Sequence, residues 1–396
     1  MANRRTKKKE NLTYQDLFLK SMAPNYSKPS LTIVSGRGAY LVDADGDRYL
    51  DFLSGIATNA LGAAHPKVIA AINRQVRNVS HISNFYANPE SLKLASRLID
   101  MTGDRKARVF FCNSGAEANE AAIKLAFLTG RRQIVAMEGS FHGRTIGSLS
   151  ITGQASKRKP FEPLLKKVRF VPYGDVRALR RAVTRRTAMV IVEPIQGEHG
   201  VVVPPSGFLR EVEGACRESG ALFAVDAVQT GMGRTGNWFG FEAEGVKPDI
   251  ITLAKALGGG LPMGAMISMG RSPSFSAGEH GSTFGGNPVV AAAANAVIDT
   301  IESEGLMDRA SVLHLHLRSR IEEIPGVKLV RGRGLLIGIV LESPHAKEVV
   351  ARLQEHGVLV NAPGEDVIRL APPLIIKERE ADQFVSIFKD VMVGMK

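Results

Sequence analysis

The sequence has 396 residues and a mass of 42.7 kDa, which is more than one hydrophobic core usually serves, so two domains are expected. Apolar residues make up 44% of the chain, as in ordinary globular proteins, and no uninterrupted apolar run approaches the ~20 residues of a membrane-spanning helix. The two cysteines lack the spacing of a metal site or a redox pair, and the net charge of +12 excludes little until its distribution is known.

Two basic segments account for the net charge. Residues 1–10 contribute +4 and residues 151–190 contribute +9, so the remainder of the chain is close to neutral. The first segment imitates the head of a signal peptide, but polar residues follow it instead of an apolar core, and we expect a cytoplasmic protein. The second surrounds a helix-like run at 176–183 and lacks interleaved aromatic side chains for base stacking. It is interpreted as a solvated face and not as a nucleic-acid site.

A strand and a helix meet at a candidate anion site. Residues 109–112 predict a short apolar strand, and Asn113-Ser-Gly-Ala116 opens a helical pattern over 117–128. Ser114 offers a hydroxyl, Gly115 allows close approach of a ligand, and a helix N-terminus presents free N–H groups and the positive end of its dipole. The same residues are also compatible with an ordinary helix cap, which needs no glycine.

Seven short apolar runs, separated by helical patterns, predict the core of an α/β domain. Such alternation is typical of βαβ units, which form a mostly parallel sheet and bind ligands beyond the carboxyl ends of the strands. A buried helix at 289–301 leads out of this domain, and two further strands at 334–341 and 358–360 precede a final helix. The seven runs lie at 109–112, 133–137, 168–172, 188–192, 221–226, 249–253 and 263–268.

Two of these runs lead to residues with complementary chemistry. Asp226 ends the run 221–226, and Lys255 follows the next apolar run. A desolvated lysine is shifted towards its neutral, nucleophilic form and can hold an aldehyde as a Schiff base. A carboxylate opposite a pyridine nitrogen keeps that nitrogen protonated, so the pair matches the needs of pyridoxal phosphate. Taken alone, a lysine after an apolar strand is more often a surface residue with a buried stem.

One segment fits the fingerprint of a different enzyme class. Gly231-Met-Gly-Arg-Thr-Gly236 follows a predicted strand, as a dinucleotide-binding loop would in an NAD-dependent oxidoreductase. Residues 237–248 contain glycines and a proline but no sustained helical period. We therefore expect no helix N-terminus for a pyrophosphate here, and the oxidoreductase is kept only as an alternative.

Six motifs, in order along the chain, resemble those of the class III, or ω-, aminotransferases. The matching stretches extend from residue 38 to residue 373, which is nearly the whole length. The resemblance implies the fold of type I pyridoxal-phosphate enzymes, with a large α/β domain at 61–305 and a small α+β domain built from residues 1–60 and 306–396. The motifs lie at 113–119, 141–145, 193–198, 226–236, 253–258 and 282–287.

The resemblance implies how the cofactor would be held. Lys255 would bind it covalently and move the proton between substrate and cofactor. Asp226 would pair with the ring nitrogen, Gln229 would hydrogen-bond the ring hydroxyl, and Phe141 would stack on the ring. His142 could equally be a packing residue and is left without a catalytic role. The phosphate would be held by Ser114, Gly115 and Ala116 of the same chain and by Thr283 of the partner subunit in a homodimer.

The resemblance also implies how two kinds of substrate would be recognised. Arg144 would bind the carboxylate farthest from the reacting amine, and Arg369 would bind the α-carboxylate of glutamate. Glu198 would pair with Arg369 when the donor has no carboxylate there, since an unpaired buried charge is costly. Ile56 stands where ornithine aminotransferases have a tyrosine, so it favours a donor with an acylated α-nitrogen. Ser282 is also expected to bind the substrate.

Within the family, the chain is similar to the members that act on N2-acetyl-L-ornithine. The expected reaction moves the δ-amino group of that donor to 2-oxoglutarate in arginine biosynthesis, with pyridoxal phosphate as cofactor. Ornithine, succinylornithine, N-succinyldiaminopimelate and 4-aminobutyrate are the alternative donors. Two positions depart from the family pattern, because Ala227 replaces a glutamate and Ala63 replaces a histidine. Neither is expected to contact the cofactor, so they put the rate in doubt and not the chemistry.

Overall fold

A computed structural model describes residues 2–395, with side chains described from residue 10 onwards, so the side chains of the basic start lie outside the description. The strands are β1 (Ile33–Arg37), β2 (Tyr40–Asp43), β3 (Arg48–Asp51), β4 (Arg108–Cys112), β5 (Gln133–Met137), β6 (Val168–Val171), β7 (Thr187–Val192), β8 (Leu222–Asp226), β9 (Ile250–Leu253), β10 (Gly264–Ser268), β11 (Val327–Arg333), β12 (Leu336–Leu341), β13 (Val358–Leu359) and β14 (Val367–Leu370).

The helices are α1 (Ala2–Ser21), α2 (Ser54–Ala57), α3 (Pro66–Asn78), α4 (Pro89–Thr102), α5 (Gly115–Phe127), α6 (Ile146–Ser150), α7 (Ala155–Arg158), α8 (Val176–Ala182), α9 (Phe208–Ser219), α10 (Pro288–Ser303), α11 (Leu306–Glu322), α12 (Ala346–Glu355) and α13 (Glu378–Val393). Three short 3₁₀ turns lie at Lys159–Phe161, Glu242–Glu244 and Lys255–Gly258. No helix within residues 2–395 combines the length and the apolar character needed to cross a membrane.

A seven-stranded sheet forms the centre of the molecule, in the order β4-β10-β9-β8-β7-β5-β6. The strands from β9 to β6 pair in parallel, whereas β10 runs antiparallel to both of its neighbours. A short connection suffices between β9 and β10, because only a parallel pair needs a long crossover. β7 and β8 are buried along their whole length, as expected for central strands covered by helices on both faces.

The helices that cover this sheet begin at recognisable sequence signals. The side chain of Asn287 accepts hydrogen bonds from the N–H groups of Val289 and Val290, and Pro288 occupies the first turn of α10. The alanine-rich α10 is almost wholly buried and packs against α3 and α4. Small side chains allow this close approach. The helix predicted at 289–301 is confirmed, with slightly wider limits.

Two smaller sheets are built from the ends of the chain. β13, from the C-terminal part, pairs in parallel with β3 and completes the sheet β1-β2-β3-β13. β11, β12 and β14 form a separate antiparallel sheet. The sequence predicts the strands of β12 and β13 but misses β11 and β14, which are interrupted by charged residues. The domain limits at residues 60 and 305 stay a prediction.

Candidate active site

The carboxyl ends of the central strands open into a cavity of about 450 Å³. That volume falls within the usual range for small-molecule sites. Arg369 reaches the same region through hydrogen bonds to Glu198 and Gln229. Nine of the predicted site residues line the cavity, namely Ser114, Gly115, Ala116, Phe141, Arg144, Glu198, Asp226, Gln229 and Lys255.

The turn between β4 and α5 forms an anion-binding end of the cavity. Ser114 is the N-cap of α5, and its Oγ accepts the N–H of Glu117 at 3.2 Å. The backbone N–H groups of Gly115 and Ala116 find no acceptor in the part of the chain that the structure describes, and they open the helix at its positive end. A Cβ at residue 115 would lie 2.9 Å from the γ-carbons of Val228, so only glycine fits there. The two interpretations of this motif are therefore compatible, because the cap uses the hydroxyl and leaves N–H groups free.

Asp226 ends β8 and is held by a network of hydrogen bonds. Its Oδ2 accepts the amide of Asn119 at 2.8 Å and lies 2.7 Å from Nδ1 of His142. Asn119 in turn accepts the hydroxyl of Thr252 at 2.8 Å, and Oδ1 of Asp226 accepts the N–H of Val228 at 3.0 Å. Contacts at both oxygens hold the carboxylate in a fixed orientation.

His142 belongs to the site, although its sequence motif fits a packing residue equally well. Its side chain is fully buried against Asp226, and its Nε2 finds no hydrogen-bond partner within residues 2–395. The only sequence signal is its place next to Phe141. Because its Nδ1 faces the carboxylate, His142 orients Asp226 and does not merely fill space.

Lys255 follows β9 and points into the cavity. Its backbone has φ of +49°, a left-handed conformation that is uncommon for a residue with a side chain and that recurs at functional sites. Burial lowers the pKa of the Lys255 amine, and the nearby carboxylates of Glu198 and Asp226 oppose that shift only in part. The amine is therefore shifted towards the neutral form that acts as nucleophile and base.

Glu193 is a second acidic residue in the cavity, and sequence reasoning assigned it no role. Its Oε2 accepts the backbone N–H of Phe141 at 3.1 Å, so it fixes the segment that carries this aromatic ring. Burial raises the pKa of Glu193 well above its ordinary value, and the neighbouring Asp226 adds to the shift. Its position just after β7, one strand from Asp226, is the signal that could have revealed it.

Arg369 and Glu198 form an ion pair in the wall of the site. Nη1 of Arg369 lies 2.5 Å from Oε1 of Glu198 and 3.2 Å from the amide oxygen of Gln229. The arginine is 1% exposed, and its Nε donates to Asn361 at 3.0 Å. Burial alone would raise the pKa of Glu198, but the positive charges of Arg369 and Lys255 together lower it. Glu198 therefore neutralises a cation that would otherwise be buried alone.

Arg144 lines the cavity beside the ring of Phe141. Its guanidinium carbon is 5.6 Å from the centroid of the Phe141 ring, and no carboxylate lies within 4 Å of it in the described part of the chain. The amine of Lys157 is 5.5 Å from the same ring. Burial and the charge of Arg144 lower the pKa of Lys157. The basic segment was expected to be a solvated face, so Lys157 is an exception to that prediction.

Besides Arg369, three predicted residues do not line the cavity of the single chain. Thr283 is exposed, and Ser282 accepts a hydrogen bond from the amide of Asn113 at 3.3 Å, at the outer edge of the phosphate turn. Ile56 is 41% exposed and lies in α2, a single left-handed turn, and Thr58, which directly follows this turn, lines the cavity. Their roles stay predictions.

The dinucleotide-binding alternative fails on the structure of residues 237–248. After Gly236 the chain forms turns and one 3₁₀ turn at Glu242–Glu244, and no helix begins there. A pyrophosphate would lack the helix N-terminus that this fingerprint requires.

The residues of the cavity fit the polar groups of pyridoxal phosphate. The free N–H groups of Gly115 and Ala116 suit the phosphate, Asp226 suits the ring nitrogen, and Lys255 suits the aldehyde. Val228 and Phe141 supply apolar surface for the ring between these groups. The set has the donors, the acid and the amine that this cofactor needs in one cavity.

Comparison with known proteins decides the family. The model for class III aminotransferases matches residues 21–392. The chain belongs to the class III aminotransferases. An acetylornithine aminotransferase from Streptomyces clavuligerus is 53% identical over 372 residues, which cover 92% of each protein.

Solved structures of class III aminotransferases share the fold. An ornithine aminotransferase from Toxoplasma gondii, with partial occupancy of PLP at its active site, aligns with a TM-score of 0.91 at 32% identity, covering 97% of this chain and 94% of the other. An N-acetylornithine aminotransferase from Stenotrophomonas maltophilia K279a aligns with a TM-score of 0.82 at 33% identity, covering 96% and 98%. The α/β fold of type I predicted from the sequence is confirmed.

The two departures from the family pattern lie outside the cavity lining. Ala227 is buried, and its N–H donates to the carbonyl of Thr252 at 2.9 Å. Ala63 exchanges backbone hydrogen bonds with Gly38. Both positions therefore serve the packing of this aminotransferase around its site.

Proposed function

We propose that this enzyme transfers the δ-amino group of N2-acetyl-L-ornithine to 2-oxoglutarate, giving N-acetyl-L-glutamate 5-semialdehyde and L-glutamate. The proposal rests on one observation. Of the two arginines near Lys255, one is paired with an acidic side chain and the other is not. Arg144 has no acidic partner in the described chain, whereas Arg369 is neutralised by Glu198. Acetylornithine brings one carboxylate and glutamate brings two, so the pair of arginines matches both substrates. Relatives such as the Streptomyces clavuligerus enzyme are named for this donor.

Pyridoxal phosphate, when bound, supplies an aldehyde for the amino group and a ring that withdraws electrons from the substrate carbon. Asp226 holds a negative charge opposite the ring nitrogen, and His142 and Asn119 keep its carboxylate oriented. The Nζ of Lys255 takes the proton from the δ-carbon of the donor, and burial, which lowers the pKa of this amine, favours its neutral, basic form. Phe141, fixed by Glu193, excludes water from one face of the site.

The Arg369–Glu198 pair allows one site to accept two substrates in turn. With acetylornithine, the δ-carbon carries no carboxylate, and Glu198 stays on Arg369. With glutamate, the α-carboxylate takes the place of Glu198 on the guanidinium in a bidentate arrangement. Glu198 is 25% exposed as a side chain, which leaves it room to move, while Arg369 is held by Asn361.

Acetylornithine should be strongly preferred over ornithine, and Ile56→Tyr should reduce that preference by roughly tenfold or more. Ile56 offers no hydrogen bond, so a free α-ammonium would lose water without compensation, whereas an acetylated nitrogen is neutral. The measurement is kcat/KM for both donors in the native enzyme and the variant.

Ile69→Tyr is the matched control, because Ile69 is 42% exposed on α3 and does not line the cavity. Equal use of both donors by the native enzyme would contradict the acetylornithine assignment. A panel that adds succinylornithine, N-succinyldiaminopimelate and 4-aminobutyrate ranks the alternative donors in the same assay. An unchanged ratio in Ile56→Tyr would place the selectivity elsewhere.

We propose further that the enzyme works as a homodimer in which Thr283 of the partner subunit binds the phosphate. In support, the chain exposes three aromatic side chains beside Thr283: Phe85 is 94% exposed, Tyr86 73% and Phe284 58%. The amide of Asn84 donates to the carbonyls of Ser282 and Gly285, so both segments belong to one surface. Exposed aromatic clusters of this kind mark protein interfaces.

Mixing a Lys255→Ala chain with a Thr283→Ala chain should therefore restore activity at limiting cofactor. Each mixed dimer has one unimpaired site and one site with both defects, so equal mixing restores about a quarter of native activity. The measurement is turnover after the chains have exchanged. Mixing Lys255→Ala with the double variant Lys255→Ala/Thr283→Ala is the control and should restore nothing. A monomer that binds the cofactor tightly would contradict the proposal.

A further inference from the structure

Glu120, on the helix α5, makes an unusual set of contacts outside the cavity. Its Oε1 accepts three hydrogen bonds, from the hydroxyl of Thr145 at 2.5 Å, from the N–H of Gly147 at 2.8 Å and from the N–H of Ser148 at 3.1 Å. All three donors belong to the segment that directly follows Arg144. One carboxylate oxygen thus organises the start of α6.

The contact replaces an ordinary helix cap. Thr145 is the N-cap residue of α6, but its own side chain caps none of the free N–H groups. Its hydroxyl instead donates to Glu120, whose carboxylate accepts the N–H groups of Gly147 and Ser148 in the first turn of the helix. A Cβ at residue 147 would lie 2.1 Å from Oε2 of Glu120, so any side chain there would displace this carboxylate.

The residue on the other side of Arg144 also rests on α5. Gly143 has φ of +136°, and a Cβ there would lie 2.7 Å from the Cβ of Ala116. Ala116 and Glu120 are four residues apart and therefore lie on the same face of α5. Arg144 is thus flanked by two contacts with one helix, while its own side chain has no ion-pair partner in the described chain.

We propose that Glu120 is a positioning residue that holds Arg144 in place for the distal carboxylate of the substrate. The inference rests on the proposed function, in which Arg144 binds that carboxylate. A bidentate arginine–carboxylate contact depends on the geometry of both partners, and a displacement of about 1 Å can cost 10²-fold in rate. Glu120 acts through hydrogen bonds that it accepts, so an uncharged amide oxygen can serve in its place.

The test compares Glu120→Ala and Glu120→Gln with two donors. Acetylornithine has the distal carboxylate, and N-acetyl-1,4-diaminobutane is the same molecule without it. Glu120→Ala should lower kcat/KM for acetylornithine by about 30-fold to 100-fold, mainly through KM. It should leave the weaker use of N-acetyl-1,4-diaminobutane unchanged within about twofold, and Glu120→Gln should stay within about threefold of the native enzyme for both donors.

A double-mutant cycle with Arg144→Ala separates positioning from general damage to the fold. If Glu120 acts through Arg144, the Glu120→Ala change has almost no further effect in the Arg144→Ala background. Equal losses with both donors, additive losses in the cycle, or no loss in Glu120→Ala would each overturn the role of Glu120. Visible absorption of the bound cofactor and the melting temperature show whether the variant is folded and loaded.

Assays of the native enzyme show whether the proposed donor is wrong or only the positioning role of Glu120. Absence of turnover with acetylornithine in the native enzyme would overturn the proposed donor and leave Glu120 open to the same test with a second pair. Glutamate and 2-aminobutyrate differ only by a distal carboxylate, and the same ratio of losses is expected for them. Equal losses with this second pair would then overturn the positioning role.

Discussion

Replacing Lys255 by alanine should lower turnover by at least about 10³-fold, because the same amine holds the cofactor aldehyde and moves the proton. The phosphate end of the cavity should remain intact, since Ser114, Gly115 and Ala116 belong to a separate element, α5. The left-handed backbone of Lys255 and its lowered pKa both indicate a residue placed for chemistry and not for packing.

The measurement for Lys255→Ala combines turnover with the visible absorption of the protein. The native enzyme with added pyridoxal phosphate should absorb in the visible range through its covalent link, and the variant should bind the cofactor without that band. Lys247→Ala is the control, because Lys247 is exposed on the loop before β9. A colourless native enzyme, or a Lys255→Ala variant that still transaminates, would contradict the central assignment.

Asp226→Asn should reduce kcat by about 10²-fold to 10³-fold, the range found when one preorganised electrostatic group is removed. The carboxylate receives the amide of Asn119 and faces His142 at the same oxygen. Asparagine has nearly the same shape but carries no negative charge for the ring nitrogen. The NH₂ group of the asparagine side chain would also face a donor that now donates to a carboxylate oxygen of Asp226.

Asp226→Asn should slow both the reaction with the amine donor and the reaction with 2-oxoglutarate, because both need the same electron-withdrawing ring. The bound cofactor, measured by absorption, and the melting temperature should change little in comparison. Loss of cofactor at saturating concentration would mean that Asp226 mainly holds the cofactor. A native rate in Asp226→Asn would remove the residue from the chemistry.

The large sheet and the central residues of the site could be predicted from sequence, each for its own physical reason. The strands of the large sheet are short apolar runs between helical patterns, and their predicted limits agree with the observed ones within one or two residues. Lys255 and Asp226 could be assigned because Asp226 ends one buried strand and Lys255 follows the next. Parallel strands bring such residues to one edge of a sheet, so local signals suffice.

Other parts of the site depend on contacts between distant residues and leave no local pattern. The pairing of His142 with Asp226 joins residues 84 positions apart, and the contact of Glu193 with Phe141 joins residues 52 apart. Lys157 lies in a basic segment whose composition is typical of a solvated face. β11 has charged residues at positions that are exposed or half-buried, and β14 contains Arg369. The apolar pattern of both strands is therefore weak.

One consequence of the helix α5 concerns how substrate preference can change. The free N–H groups at Gly115 and Ala116, the amide of Asn119 and the carboxylate of Glu120 all lie within its first two turns. An α-helix rises by about 1.5 Å per residue and is stiff over that length, so the spacing between these groups is fixed. A substitution that bends or shifts α5 would disturb cofactor and substrate recognition together. Redesign for a longer or shorter amine donor therefore has to alter the 143–148 segment or the turn at Ile56, and to leave this helix as it is.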